Sequence, residues 1–244
     1  MKLFIIFLSL SISFPSLVKC QHSIELKAGI NLPSINNLSN EFSEEFYHEE
    51  TFSPGLYVSA NAESNPLNNF LIGAGIEFSY VRMSDTSRYY YSTYKSYKVT
   101  RIINVTNSFY FLQIPLFLKY TFKEKISLAI GLAPTLVVSS HAKGQIIDSN
   151  NPFQSINPDI NEPIKGLNPI TLNAKTSISY AVNRNLGIEF SFQLGLNNIF
   201  EEGNFYENGY YPNYASSYKG GNLNIYNIGI MYILSKNNSS KSLL

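Results

Sequence analysis

The feature that most limits what this chain can fold into is an alternation of apolar and polar residues with period two, sustained over ten residues or more at a time. Over residues 23–32, Ile24, Leu26, Ala28, Ile30 and Leu32 fall on one side, and Ser23, Glu25, Lys27, Gly29 and Asn31 on the other. An extended backbone sends successive side chains to opposite faces, so the segment reads as a strand with one apolar face. The pattern returns near residues 56–63, 72–80, 112–122, 126–139, 170–182, 186–197 and 223–234. Eight strands result, with almost nothing that keeps a helical period.

The connections between these segments alternate in length. Those near residues 33–51, 84–108, 140–168 and 200–221 are long; those near 64–69, 123–125 and 183–185 are short. The reading is all-β: an eight-stranded antiparallel up-and-down transmembrane β-barrel with short periplasmic turns and long extracellular loops. A soluble calycin-like ligand-binding barrel would alternate as well. Charge placement favours the membrane barrel, because the apolar faces carry no ionisable group except tyrosines, most of them near strand ends where an aromatic belt would lie. Only 14% of residues are charged, against about 25% in an ordinary soluble domain.

The opposite faces hold Glu25, Lys27, Glu63, Glu77, Lys119, Lys175 and Glu189, four acids and three bases. Eight strands enclose a space just wide enough for side chains to fill it. A charge sealed there without a partner costs several kcal/mol (roughly 3 to 5 when one member of a pair is lost). These seven residues are therefore expected to form a paired polar network inside the barrel.

Residues 1–20 read as a secretory signal peptide: Lys2 precedes an apolar run from Leu3 to Val18 that is broken only by serines and Pro15. Leu17, Val18, Lys19 and Cys20 resemble a lipoprotein box, but the charge of Lys19 directly before the cysteine fits cleavage after Cys20 better, with Gln21 first in the mature chain. Residues 21–234 would form the barrel and residues 235–244 a polar tail. With Cys20 removed, neither disulfides nor thiol chemistry are available.

The segments FLQIPLFLKYTF (Phe111 to Phe122) and ISLAIGLAPTL (Ile126 to Leu136) resemble the central hairpin of the PorT-like outer-membrane β-barrel family of Bacteroidetes. The features shared are the aromatic lead into Ile114 and Pro115, the Leu118-Lys119-Tyr120 triplet, the short charged turn, and Gly131 with Pro134. FSFQLGLNNI (Phe190 to Ile199) resembles the family's penultimate strand. The polar tail departs from the family pattern of an aromatic closing strand. The resemblance implies an eight-stranded outer-membrane barrel, one member type of which is linked to protein secretion, and it implies no catalytic residues.

For chemistry the sequence offers little. It has three histidines, His22, His48 and His141, and none sits in a motif; His141 with Ser139 or Ser140 is the best candidate for a lipid-modifying enzyme at the barrel rim. No phosphate-binding glycine loop and no metal-spaced cluster appears, so neither cofactor nor metal nor enzymatic activity is expected. A net charge of +1 gives no attraction for nucleic acid.

The loops concentrate unusual residues. The first carries Glu41, Glu44, Glu45, Glu49 and Glu50. The second carries Arg82, Arg88, Lys95, Lys98 and Arg101 among Tyr89, Tyr90, Tyr91, Tyr94 and Tyr97. Arg88, Tyr89, Tyr90, Tyr91, Tyr94, Lys95, Tyr97 and Lys98 form a candidate binding surface, with rigid amphipathic tyrosines and cations for lipopolysaccharide phosphates or an acidic partner. Self-pairing of the two loops, or extension of the strands above the membrane, accounts for the same residues. The expected surroundings and partners are outer-membrane lipid, lipopolysaccharide and an envelope or secretion protein, around a monomeric barrel.

Overall fold

A computed structural model describes residues 22–40, 47–67, 69–93, 97–123, 125–149, 159–164, 167–199 and 218–234. The described strands are β1 (His22–Asn40), β2 (Tyr47–Leu67), β3 (Phe70–Thr93), β4 (Tyr97–Gln113), β5 (Leu116–Phe122), β6 (Ile126–Ser149), β7 (Asp159–Glu162), β8 (Ile170–Ala181), β9 (Leu186–Gly195) and β10 (Tyr218–Ile233). Each wall strand pairs antiparallel with its sequence neighbours, and β10 returns to pair with β1, so the sheet closes.

The chain therefore forms the eight-stranded antiparallel barrel that the alternation calls for. β4 and β5 make a single wall strand. Gln113 faces Glu77 and Leu116 faces Ala74 with no change of register, and the break marks only Pro115, which has no N–H for the ladder. β7 is a short extra strand laid along β6.

The apolar faces look outward. Leu56, Ile76, Ile130, Ile170, Phe190 and Ile230 are each more than half exposed, a distribution that only a hydrocarbon solvent makes favourable. Aromatic contacts ring this band at both ends. At the short-turn end Tyr120 meets Phe70 and Phe122, at 4.8 and 4.5 Å between ring centroids. At the other end Tyr80 meets Tyr110 at 5.0 Å and Phe192 meets Tyr226 at 4.9 Å. Ten residues separate Phe70 from Tyr80, about 34 Å along the strand and about 25 Å once strand tilt is removed, the height of an outer-membrane apolar band.

At the extracellular end the strands run further than the sequence reading places them. Most of the expected loop over residues 84–108 is a β3–β4 hairpin, paired out to Thr93 and Tyr97. β1 runs to Asn40, β2 begins at Tyr47, and β6 continues to Ser149. The cause is visible in the alternation itself, which persists above Tyr80 with its sign inverted. Val81, Met83, Val105 and Phe109 now point inward and are buried, while Arg82 faces outward and is exposed. A reader following apolar-outward residues loses the strand at that point.

The wall also forks. The last pair between β1 and β2 is Asn31 with Gly55. Beyond it, among the described residues, β1 pairs only with β10, and β2 only with β3. At the fork the Asn31 side-chain amide donates to the carbonyls of Leu56 at 3.2 Å and Tyr80 at 3.1 Å, bridging a bulge in β2.

Candidate functional site

The interior is built in two layers. In the periplasmic half the inward positions of six strands carry the seven ionisable residues, and the structure draws them into two groups. In the first, Lys27 lies 2.5 Å from Glu189 and 3.3 Å from Glu25, while Lys119 lies 2.5 Å from Glu25 and 2.9 Å from Glu63. This is a continuous alternating chain, Glu189–Lys27–Glu25–Lys119–Glu63, with one carboxylate in excess. In the second, Lys175 lies 2.5 Å from Glu77, and Gln193 donates to the other Glu77 oxygen at 3.0 Å.

Charges so enclosed are held by each other and by neutral donors, because water reaches them poorly. A cavity of about 20 Å³ lies among Lys27, Lys119, Lys175, Asn61 and Glu189, enough for a water or so. Phe117 completes the packing. It stands between Gly73 and Gly131 on the neighbouring strands, and a β-carbon at Gly73 would lie 2.3 Å from the Phe117 ring.

Above this lies an apolar layer that the sequence reading does not include. Val81, Met83, Val105, Phe109, Phe111, Ala142, Leu223 and Ile225 cluster inside the extracellular half, with Phe109 and Phe111 stacked 5.9 Å apart. Ile164 and Ile199, from the connections after β7 and β9, enter the same cluster. Backbone bonds hold those connections in place: Asn168 N–H to Ile199 O at 2.9 Å, Ile199 N–H to Gly221 O at 2.9 Å, and Val137 N–H to Pro169 O at 3.0 Å. The signal for this layer was the inverted alternation of β3 and β4.

Of the rim residues considered for catalysis, Ser139 lies two residues from His141 on the same outward face, and Ser140 lies on the other. Ser140 faces inward and donates to Ile164 O at 3.4 Å, whereas the His141 ring nitrogen Nε2 lies 2.7 Å from Asn161 Oδ1 on β7. Neighbouring residues of a strand face opposite ways, so Ser140 and His141 are kept apart. Of the candidate loop surface, Arg88, Tyr89, Tyr90 and Tyr91 belong to β3 and Tyr97 and Lys98 to β4. Their side chains and that of His48, and Tyr94 and Lys95 altogether, lie outside the described residues, as do residues 1–21, 41–46 and the tail 235–244.

A closed barrel with an apolar outer band, aromatic girdles and a salt-bridged lumen defines an integral protein of the outer membrane. The sequence of residues 21–201 matches the family model described as outer membrane protein beta-barrel domain, and the chain belongs to that family. No curated protein sequence matches it. Among solved structures it is similar to Ail, the attachment invasion locus protein of Yersinia pestis (10% identity, 88% of this chain and 99% of that chain covered, TM-score 0.39). It is also similar to OprG from Pseudomonas aeruginosa (9% identity, 88% and 96% covered, TM-score 0.41) and to the protease OmpT from Escherichia coli (14% identity, 88% and 94% covered, TM-score 0.43).

Proposed function

We propose that this outer-membrane barrel is a non-enzymatic binding protein whose contact surface is the part of the sheet that stands outside the membrane. The observation that carries the reading is the length of the β3–β4 hairpin: thirteen register pairs lie beyond Tyr80 and Tyr110, about 40 Å of strand that spanning the membrane does not require. The hairpin bears Arg88, Tyr89, Tyr90, Tyr91, Tyr97 and Lys98 on its strands and Tyr94 and Lys95 between them. Tyrosines and cations of this density suit a protein or acidic partner. Below the fork, β2 has strands on both sides; over Tyr47–Ser53 its partner among the described residues is β3.

Within the broad family, the Phe111 to Leu136 hairpin supports a PorT-like barrel of Bacteroidetes, and the apolar run from Leu3 to Val18 supports export by a cleaved signal peptide. One member type of that family is linked to secretion, which makes an accessory role there one form that such binding would take, although the family at large has no common activity. A rim enzyme built on His141 would have to use Ser139, which shares its outward face, since Ser140 bonds inward to Ile164 O. A soluble calycin-like barrel is disfavoured by an apolar face that looks outward.

Replacing residues 89–97 by a tight turn tests the reading. The shortened protein is expected to insert and to retain heat-modifiability, the shift in gel migration when a closed barrel is boiled open, while losing the partner cross-linked from the extracellular sheet in intact cells and reproducing the phenotype of a deletion strain. An unchanged phenotype and cross-link would place the function elsewhere. Failure to insert would make the hairpin part of the wall.

A further inference from the structure

Directly above the extracellular girdle, the register aligns two rows of outward residues across β3, β4 and β6. Arg82, Ser108 and His141 form the first row, and Ser84, Thr106 and Lys143 the second. Their outward direction is fixed by the residues between them, since Val81, Met83, Val105, Phe109 and Ala142 are buried in the lumen. Arg82 and Lys143 are exposed. The hydroxyls form two pairs on this surface: Tyr80 Oη lies 3.3 Å from Ser108 Oγ, and Ser84 Oγ lies 3.2 Å from Thr106 Oγ1.

Height decides what such a surface meets. Successive rows are about 7 Å apart along the strand, roughly 5 Å in height after tilt. The headgroup zone outside the hydrocarbon is about 5 to 8 Å thick on each side. Two rows above the tyrosines therefore span the headgroups of the outer leaflet, and the apolar wall immediately below, with Phe78, Leu136 and Val138 exposed, is where acyl chains of the same lipid would lie. The two rows contain no carboxylate on these strands. Glu49 on β2 and Asp159 on β7 hold register positions one row further out, at its two ends.

We propose that this part of the outer wall is a binding site for the phosphate of an outer-leaflet lipid. Arg82 supplies a planar fork for two phosphate oxygens, Lys143 a point charge from one row above and two strands across, about 10 Å away laterally, and the Ser108 and Thr106 hydroxyls supply donors between them. The proposal rests on the membrane placement of the barrel. It does not depend on the hairpin's partner.

The test uses the full-length mature protein folded in non-ionic maltoside micelles, titrated with phosphorylated lipid A and followed by bound lipid and by the temperature at which the barrel opens. Saturable binding is expected. An Arg82→Ala/Lys143→Ala variant should bind roughly tenfold or more weakly, the loss of charge-assisted bonds; Arg82→Lys should retain part of the affinity; Arg184→Ala, in the exposed turn at the opposite end, should bind as the native protein does. Should the double variant fail to fold, Arg82→Gln and Lys143→Gln separately are expected to show the loss. Equal binding of dephosphorylated lipid A, or undiminished binding by folded double or single variants, would overturn the proposal. Equal affinity for inorganic phosphate alone would also overturn it, by showing a soluble-anion site. The protein shortened over residues 89–97 should bind lipid normally, which separates failure of this site from failure of the hairpin reading.

Discussion

Lys119 Nζ lies 2.5 Å from Glu25 Oε1, which ties together residues 94 positions apart in the sequence on strands that are not neighbours in the wall. The same ammonium reaches Glu63 at 2.9 Å, so one lysine crosses the lumen and bonds to two carboxylates. Among the described residues Lys175 pairs with Glu77 alone, which Gln193 also contacts, and its side chain is 15% exposed against 8% for Lys119.

Lys119→Met is therefore expected to be the more damaging of the two lysine substitutions. It leaves two buried carboxylates without their shared cation, at a cost of about 3 to 5 kcal/mol, whereas Lys175→Met leaves one carboxylate with a remaining neutral donor and should cost less. Urea unfolding of the barrel in detergent micelles measures both. Equal, near-native stabilities would show that these ammoniums face water.

The alternating chain from Glu189 to Glu63 makes a second distinction. Glu25 sits between two lysines, and Glu63 ends the chain with Ser23 as its other partner at 3.3 Å. Glu25→Gln breaks two ion pairs, leaving Lys27 with Glu189 and Lys119 with Glu63, and should cost about 1 to 3 kcal/mol. Glu63→Gln also leaves each lysine an acid but breaks a single pair, and should stay within about 1 kcal/mol of the native protein. The same unfolding measurement checks the order, and a larger loss for Glu63→Gln than for Glu25→Gln would contradict it.

Gly73 and Phe117 are register partners, and the three atoms nearest to a β-carbon at Gly73 all belong to the Phe117 ring. Gly73→Ala should cost about 1 to 3 kcal/mol by overpacking. Combined with Phe117→Leu the cost should fall below the sum of the single losses by about 0.5 kcal/mol or more. Strict additivity in that cycle would place the obstruction elsewhere.

The wall is legible in the sequence because lipid on one side and a packed lumen on the other impose opposite polarities on alternate residues. Ile24, Leu26, Ile30 and Leu32 announce the outside, and Glu25 and Lys27 the inside. The partners within the lumen are not legible, since Lys119 with Glu25, and Lys27 with Glu189, depend on register and shear that no local pattern encodes. The outer halves of β3, β4 and β6 escape for a different reason. Above the girdle the solvent changes from hydrocarbon to water, so Arg82 and Ser84 belong outside and Val81 and Met83 inside, and the alternation continues in opposite phase.

That change of phase also settles what the lumen can pass. An ion entering from the extracellular side meets the stacked rings of Phe109 and Phe111 with Ile164 and Ile199 packed beside them, then a layer in which every lysine is bonded to a carboxylate. Among the described residues the first layer is apolar, and in the second each lysine is paired with a carboxylate at 2.5 to 2.9 Å. Reconstituted in a planar bilayer, the protein is expected to give almost no conductance, and steady large steps would contradict this account. The two layers should also act independently. Truncating Phe109 to Ala opens the upper one and should lower stability by about 3 to 5 kcal/mol, yet conductance should remain negligible because the salt-bridged layer still fills the barrel; only the further loss of Lys119 should let ions through.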